Sequence, residues 1–302
     1  MARAVRRGLL LLLALGVPAV PAVASGRQLG DLSDSGSGAS RDGRRSLQVV
    51  GLTTDGRLVR FDTHTPGRTR NIGRVKGLDG DQSLVGVDYR VQDGRLYGVG
   101  DAGGIYTLST GDAAATKVGR LTVALSGTSF GVDFNPAANR LRVVSNTGQN
   151  LRHNLVDATG TAPPLAGMTV MDANLTVPPS TTPVTGIAGA AYTNNDLDPN
   201  TVTTLFDLDT AADQVVVQSP ANGGQLAPTG KLLVDAGPVA GFDSYSRQGF
   251  GTARGNRGFA SIPVLGRYGL YEVDLLTGQA ARVGSFRASA QVADIAIPLD
   301  QG

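Results

Sequence analysis

LYEVDLLTGQAARVG, residues 270–284, reads as a strand, a Thr-Gly turn and a second strand closing on Val-Gly. The same pattern stands at residues 58–73 (LVRFDTHTPGRTRNIG) and 105–119 (IYTLSTGDAAATKVG). More degenerate copies start at Leu151 (LRHNLVDATG) and Leu205 (LFDLDTAADQVVVQ). A hairpin that recurs along a chain marks a repeat architecture, in which each unit buries its faces only against its neighbours.

Outward from the hairpin, a second element precedes it. It reads VGVDY at 85–89, FGVDF at 130–134, AGAAY at 188–192 and AGFDS at 240–244, with a fifth copy, ADIAI, at 293–297. Between the two lies a middle strand, clearest as RLYGV (95–99) and RLRVV (140–144). Inner strand, middle strand and outer hairpin make four strands, which is one blade of a β-propeller. The ends then become informative. The first hairpin has a middle strand before it (48–52) but no inner strand, whereas the last inner strand, near the C-terminus, has nothing after it. The sequence therefore predicts an all-β fold: five four-stranded blades, the ring closed by the C-terminal strand completing the N-terminal blade. Short alternating runs between Asp-Gly, Asn-Pro and Thr-Gly turns agree with this, and no amphipathic helix stands out. A two-sheet sandwich or a pair of barrels would share that texture, but the repeats favour the ring. The longest insertion, residues 161–185, is either a functional loop or a plain connection.

The chain begins with a basic stretch (Arg3, Arg6, Arg7), an apolar core (GLLLLLAL, 8–15) and a small-x-small site before Ser25. This predicts a signal peptide over residues 1–24 and a secreted protein. No run reaches the roughly 20 apolar residues of a membrane helix. Residues 25–46, rich in Gly, Ser, Asp and Arg, predict a disordered leader, and residues 47–299 a single propeller domain. The formal net charge of +2 is misleading. Without the three signal-peptide arginines it is −1, and without residues 25–47, which carry four Arg and three Asp, it is −2. A nucleic-acid partner needs a clustered basic surface, so that class is not expected. With no cysteine in the chain, disulfides, thiolate nucleophiles and Cys-ligated metals are excluded. A monomer meeting an extracellular ligand or protein is the expected state.

The stretch GVDFNPAANRLRVVSNTGQNLRHNLVDATG (131–160) resembles the signature of a bacterial family known as domain of unknown function 4394. Residues 84–108, the Tyr192-Thr193-Asn194-Asn195 segment and residues 266–284 resemble it too, so the similarity spans roughly residues 48–299. The resemblance implies an exported, propeller-like protein with no assigned activity, and it transfers no catalytic residue.

Among candidate chemical groups, Asp88, Asp133 and Asp243 recur at one position of the inner strand, where Ala191 and Ala296 stand in the other copies. Three carboxylates near one axis offer oxygen ligands for a hard cation such as Ca²⁺. Alternatively, each accepts backbone N–H groups from the next blade, since buried acids need partners. Glycines 98, 100 and 103 match G-x-G-x-x-G, but the dinucleotide fingerprint needs a following helix and here a strand follows. The DLDPN run at 196–200 begins like a calcium loop but has Thr201 and Asp207 where that motif needs Gly and Glu. The two histidines, His64 and His153, fall in different blades, which leaves few groups for His-based acid–base work. No nucleophile-elbow sequence is present, Asn174-Leu175-Thr176 is only a formal glycosylation sequon, and no cofactor motif survives scrutiny. Two functions are carried forward: a binding or interaction module without catalysis, and an extracellular hydrolase or lyase working through axial carboxylates, with or without a divalent cation.

Overall fold

The structure, a computed structural model, describes residues 45–156 and 165–301. The expected signal peptide, nearly all of the expected leader and residues 161–164 of the long insertion lie outside those residues.

The alternating runs form five four-stranded antiparallel sheets. Blade I holds β1 (Gln48–Thr53), β2 (Arg57–Asp62) and β3 (Arg70–Arg74). Blade II holds β4 (Leu84–Tyr89), β5 (Leu96–Gly100), β6 (Gly104–Leu108) and β7 (Ala115–Arg120). Blade III holds β8 (Phe130–Asn135), β9 (Arg140–Ser145), β10 (Asn150–His153) and β11 (Thr169–Met171). Blade IV holds β12 (Ile187–Tyr192), β13 (Leu205–Asp209), β14 (Gln214–Gln218) and β15 (Leu226–Lys231). Blade V holds β16 (Gly241–Gly249), β17 (Thr252–Val264), β18 (Arg267–Val273) and β19 (Ala280–Ser285). The last strand, β20 (Val292–Ala296), joins blade I as its innermost member. It pairs with β1 in the register Val50↔Ala296, Gly51↔Ile295 and Leu52↔Asp294. The molecule is a five-bladed propeller closed as the ends of the repeat predicted, and β20 covers the inner edge that β1 would otherwise leave unpaired.

Burial follows radius. The inner strand β12 is buried at every position, whereas the outer strand β7 alternates half-buried and exposed. That gradient explains why the inner runs are continuously small and apolar while the outer ones alternate. The core is distributed as five apolar layers between successive blades. Val50, Leu58, Val87 and Leu96 lie between blades I and II, for example, and Leu208, Phe242, Ile262 and Tyr271 between IV and V. Each such side chain contributes about 1.5–3 kcal/mol on burial. No blade can bury both faces alone, so the ring is one cooperative unit.

Crowding at the axis accounts for the inner-strand glycines. A Cβ on Gly131 would stand 2.5 Å from the backbone nitrogen of Ala190, and one on Gly241 2.5 Å from Cα of Asp294. Neither neighbour can yield without moving a strand.

Two local readings change. The hairpin expected directly after Leu151 is not local, because β10 pairs with β11, which begins only at Thr169 (Leu151↔Met171). Within the 161–185 insertion, β11 is part of blade III and the residues after it form a strap between blades. Leu175 N donates to Gly148 O (2.9 Å), Thr176 N to Gly224 O (2.8 Å) and Leu226 N to Thr176 O (2.8 Å). These bonds and the full burial of Leu175 make residues 172–177 a connection, whereas residues 178–183 are exposed. The G-x-G-x-x-G stretch is the β5–β6 hairpin, whose turn is held by Asp81 accepting from Ala102 N at 2.6 Å.

Candidate functional site

The inner strands bring Asp88 (β4), Asp133 (β8) and Asp243 (β16) together. One oxygen from each lies within 4.8 Å of the others, and all three residues are buried. Each reaches the next blade. Asp88 Oδ2 accepts from Phe134 N (2.8 Å), Asp133 Oδ1 from Tyr192 N (3.1 Å) and Asp243 Oδ2 from Ile297 N (2.6 Å). In every case the donor is the residue just after the next blade's copy of the Asp position. Two blades carry alanine there, Ala191 and Ala296, so the amides that follow in the next blades, Ser244 and Tyr89, receive no carboxylate from across the gap. They bond instead to their own strands: Ser244 N to Asp243 Oδ1 (2.5 Å) and Tyr89 N to Asp88 Oδ1 (2.7 Å). Three carboxylates thus satisfy all five equivalent amides around the axis, as buried backbone donors require.

A fourth carboxylate completes the arrangement, and sequence reasoning passed over it. Asp294 stands in β20 at the position that is glycine in the other four inner strands. Its side chain fills the space those glycines leave. A Cβ on Gly241 would meet its Oδ1 at 2.5 Å and one on Gly86 its Oδ2 at 3.3 Å. Asp294 Oδ2 accepts from Val87 N (2.7 Å), tying the closing strand to blade II. The signal was the single departure of the fifth copy from glycine.

Burial dominates the electrostatics. It holds the carboxyls of Asp88 and Asp133 well above the usual carboxylate range, reinforced by the charge of Asp243 beside Asp88 and of Asp88 beside Asp133. It pushes Asp243 up to about 6 and Asp294 up to about 8, against the pull of the backbone N–H groups they accept from. So close a group cannot carry full charge in a buried axis. It must be neutralised by protons or by a cation.

The other singled-out residues do not join it. His64 is exposed in a turn of blade I, while His153 is buried in β10 with Nδ1 2.9 Å from Thr169 Oγ1, and burial pushes its pKa down to about 4. His153 is therefore neutral, and it lies in a different blade from His64. Asp196 ends its loop structurally, accepting from Asp198 N (2.8 Å) and Ala253 N (2.7 Å).

Open space lies between blades, away from the axis. A cleft of about 730 Å³ opens between blades IV and V, lined among others by Asn194, Phe206, Asn256, Arg257, Glu272 and Leu276. Arg257 is fixed there by Glu272 Oε1 (2.8 Å) and by stacking 4.9 Å over Phe259. That volume is in the range of small-molecule sites.

No curated protein matches this chain. Several solved structures do, with low identity. An auxiliary nutrient binding protein from Bacteroides thetaiotaomicron shares 10% identity over 77% of this chain and 56% of its own, with a TM-score of 0.41. A protein from Lactobacillus plantarum shares 20% over 80% and 67%, with a TM-score of 0.35. The PQQ-bound aldose sugar dehydrogenase from Streptomyces coelicolor shares 15% over 82% and 81%, with a TM-score of 0.36. This chain spans little more than half the length of the first of these, and no activity follows from likenesses at this level. The family described as Domain of unknown function (DUF4394) matches residues 57–296. That match begins with β2 and ends with β20, taking in every strand but β1, and the chain belongs to this family.

Proposed function

We propose that the chain is an exported, non-catalytic binding module, whose axis is a structural spine and whose ligand or protein partner meets the clefts between blades. The observation that carries this reading is the commitment of the axial carboxylates. A hydrolase working through paired carboxyl groups needs them open to substrate on either side of the scissile bond. Here they are sealed inside the ring, crowded within 4.8 Å and bonded to backbone N–H groups of neighbouring blades. The 730 Å³ cleft beside Arg257 offers polar groups of both signs on a rigid frame, which suits recognition. A thermal-shift screen of sugars, sugar acids, phosphates and peptides on the chain lacking residues 1–24 tests the proposal, because a compound that binds only the folded state raises Tm. Hits lost on substituting cleft residues support it, whereas turnover of any screened compound that is lost in Asp133→Asn would reverse it.

A second reading rests on the same spacing. Three carboxylate oxygens this close fit a divalent cation of the Ca²⁺ type. Asp88, Asp133 and Asp243 would be its ligands, displacing the protons that otherwise neutralise them. Titration calorimetry with Ca²⁺ and Mg²⁺ separates the readings: a saturable heat that disappears in Asp133→Asn favours the cation.

A further inference from the structure

The interface between blades III and IV carries a second charged cluster of opposite sign. Arg140 and Arg142 sit two apart on β9, so both project from one face, and Arg152 stands directly opposite Arg142 on β10. Like charges in opposed positions destabilise a sheet. One carboxylate serves both: Asp172, in the strap after β11, lies 2.8 Å from Arg142 Nη1 and 3.1 Å from Arg152 Nη2. The other partners of Arg142 are neutral, namely Asn150 Oδ1 (2.6 Å), Asn222 Oδ1 (2.7 Å) and the Tyr192 hydroxyl (3.3 Å). Arg142 and Asp172 are almost fully buried, whereas the Arg152 side chain is 33% exposed. The three arginines, with Asn135, Tyr192 and Asn222, line a cavity of about 330 Å³.

Two guanidinium groups on one carboxylate leave positive charge in the wall of this cavity, and a low-dielectric wall focuses that field. The polar network there is also unfinished. Arg152 Nε is a buried donor without an acceptor, which an oxyanion would meet; across the interface, outside the cavity lining, both oxygens of Asp207 and Oε1 of Gln218 lack donors and call for a proton or a donor group instead. These are four of the eight buried side-chain atoms without a partner among the described residues, gathered in one of the five interfaces. Burial holds Asp207 well above the usual carboxylate range, with the charge of Arg142 pulling the other way.

We propose that this cavity binds the oxyanion group of a small ligand, a carboxylate, phosphate or sulfate, with Arg152 and Arg140 facing the ligand and Arg142 supplying fixed positive charge behind them. The volume suits a monosaccharide-sized molecule such as a sugar acid or sugar phosphate. The assignment rests on the binding-module reading and deepens it.

The test is titration calorimetry with sodium phosphate, sodium sulfate and sodium glucuronate at constant ionic strength, on the chain lacking residues 1–24. At least one anion is expected to bind saturably, and the three arms separate phosphate, sulfate and carboxylate recognition. Arg152→Gln and Arg140→Gln should each weaken that binding about tenfold or more, because charge-assisted contacts are the strong ones, while Arg267→Gln, an exposed position of blade V outside both cavities, leaves it unchanged. Should Arg152→Gln fail to fold, Arg140→Gln decides. No binding by any of the three anions overturns the site, as does binding that both variants retain. A neutral ligand whose binding is lost only in Arg257→Gln, with the anions inert, would overturn the anion site and leave the binding module standing.

Discussion

The axis and the blade III–IV interface are both clusters of buried charge, and they differ in whether the fold uses them up. At the axis, Asp88, Asp133, Asp243 and Asp294 together accept from six backbone amides of the inner strands. Between blades III and IV, three arginines line a cavity and buried polar atoms on both sides lack partners. The contrast teaches that in a propeller a recurring charged residue is first a fastener. A site is better sought where charge is irregular and its hydrogen bonds are incomplete.

The comparison can be broken at several points. The largest effect is expected at the crowding itself. Gly131→Ala places a Cβ 2.5 Å from the Ala190 nitrogen, and because backbone cannot yield, a loss of about 3 kcal/mol or more in urea unfolding is expected. Stability close to wild type would show that the inner strands are less tightly set. Next comes Asp133→Ala, which leaves the buried Tyr192 N–H without its acceptor and should cost about 1–3 kcal/mol. Asp133→Asn keeps an acceptor oxygen and sheds the ionisation penalty, so it should be clearly milder. Equal losses in the two variants would mean that charge, rather than the inter-blade bond, is what matters. The smallest effect belongs to the other cluster. Arg152→Gln removes one of two cations on Asp172 at a position one-third exposed, so unfolding should shift by no more than about 0.5 kcal/mol even as the anion response is lost. A large destabilisation there would make the arginines fasteners too.

How much of this was legible in sequence follows from the geometry. The inner-strand repeat has to be small and regular because five strands converge on one axis, so blade count, ring closure and the positions of Asp88, Asp133 and Asp243 could be read directly. The choice between fastener and ligand could not, since it depends on where the next blade's amide lies. Asp294 was hidden by standing in the glycine column rather than the aspartate column. The arginine cavity was hidden for a different reason. Arg142 and Arg152 share a face of one blade, but Asp172 arrives on a strap and Asn222 from the neighbouring blade. No spacing along the chain announces a cluster assembled from three such sources. The third hairpin was misplaced because the strand that pairs with β10 begins only at Thr169.

The central claim is that the axial carboxyl groups are fasteners whose charge is held down by protons rather than by a cation, and the pH dependence of stability addresses it most directly. Their folded-state pKa values lie above the unfolded value of roughly 3.9, at about 6 for Asp243 and about 8 for Asp294. A raised carboxyl stabilises the fold fully below the unfolded pKa, and that contribution is lost as pH rises through the folded values. In the presence of EDTA, Tm should therefore fall as pH is raised from about 5 to about 8. Asp294→Asn should flatten the upper part of that fall, and replacing EDTA with Ca²⁺ should change neither curve. A Tm that holds level or rises across this range, or one that Ca²⁺ restores at the alkaline end in the wild type but not in Asp133→Asn, would contradict the account and make the axis a cation site.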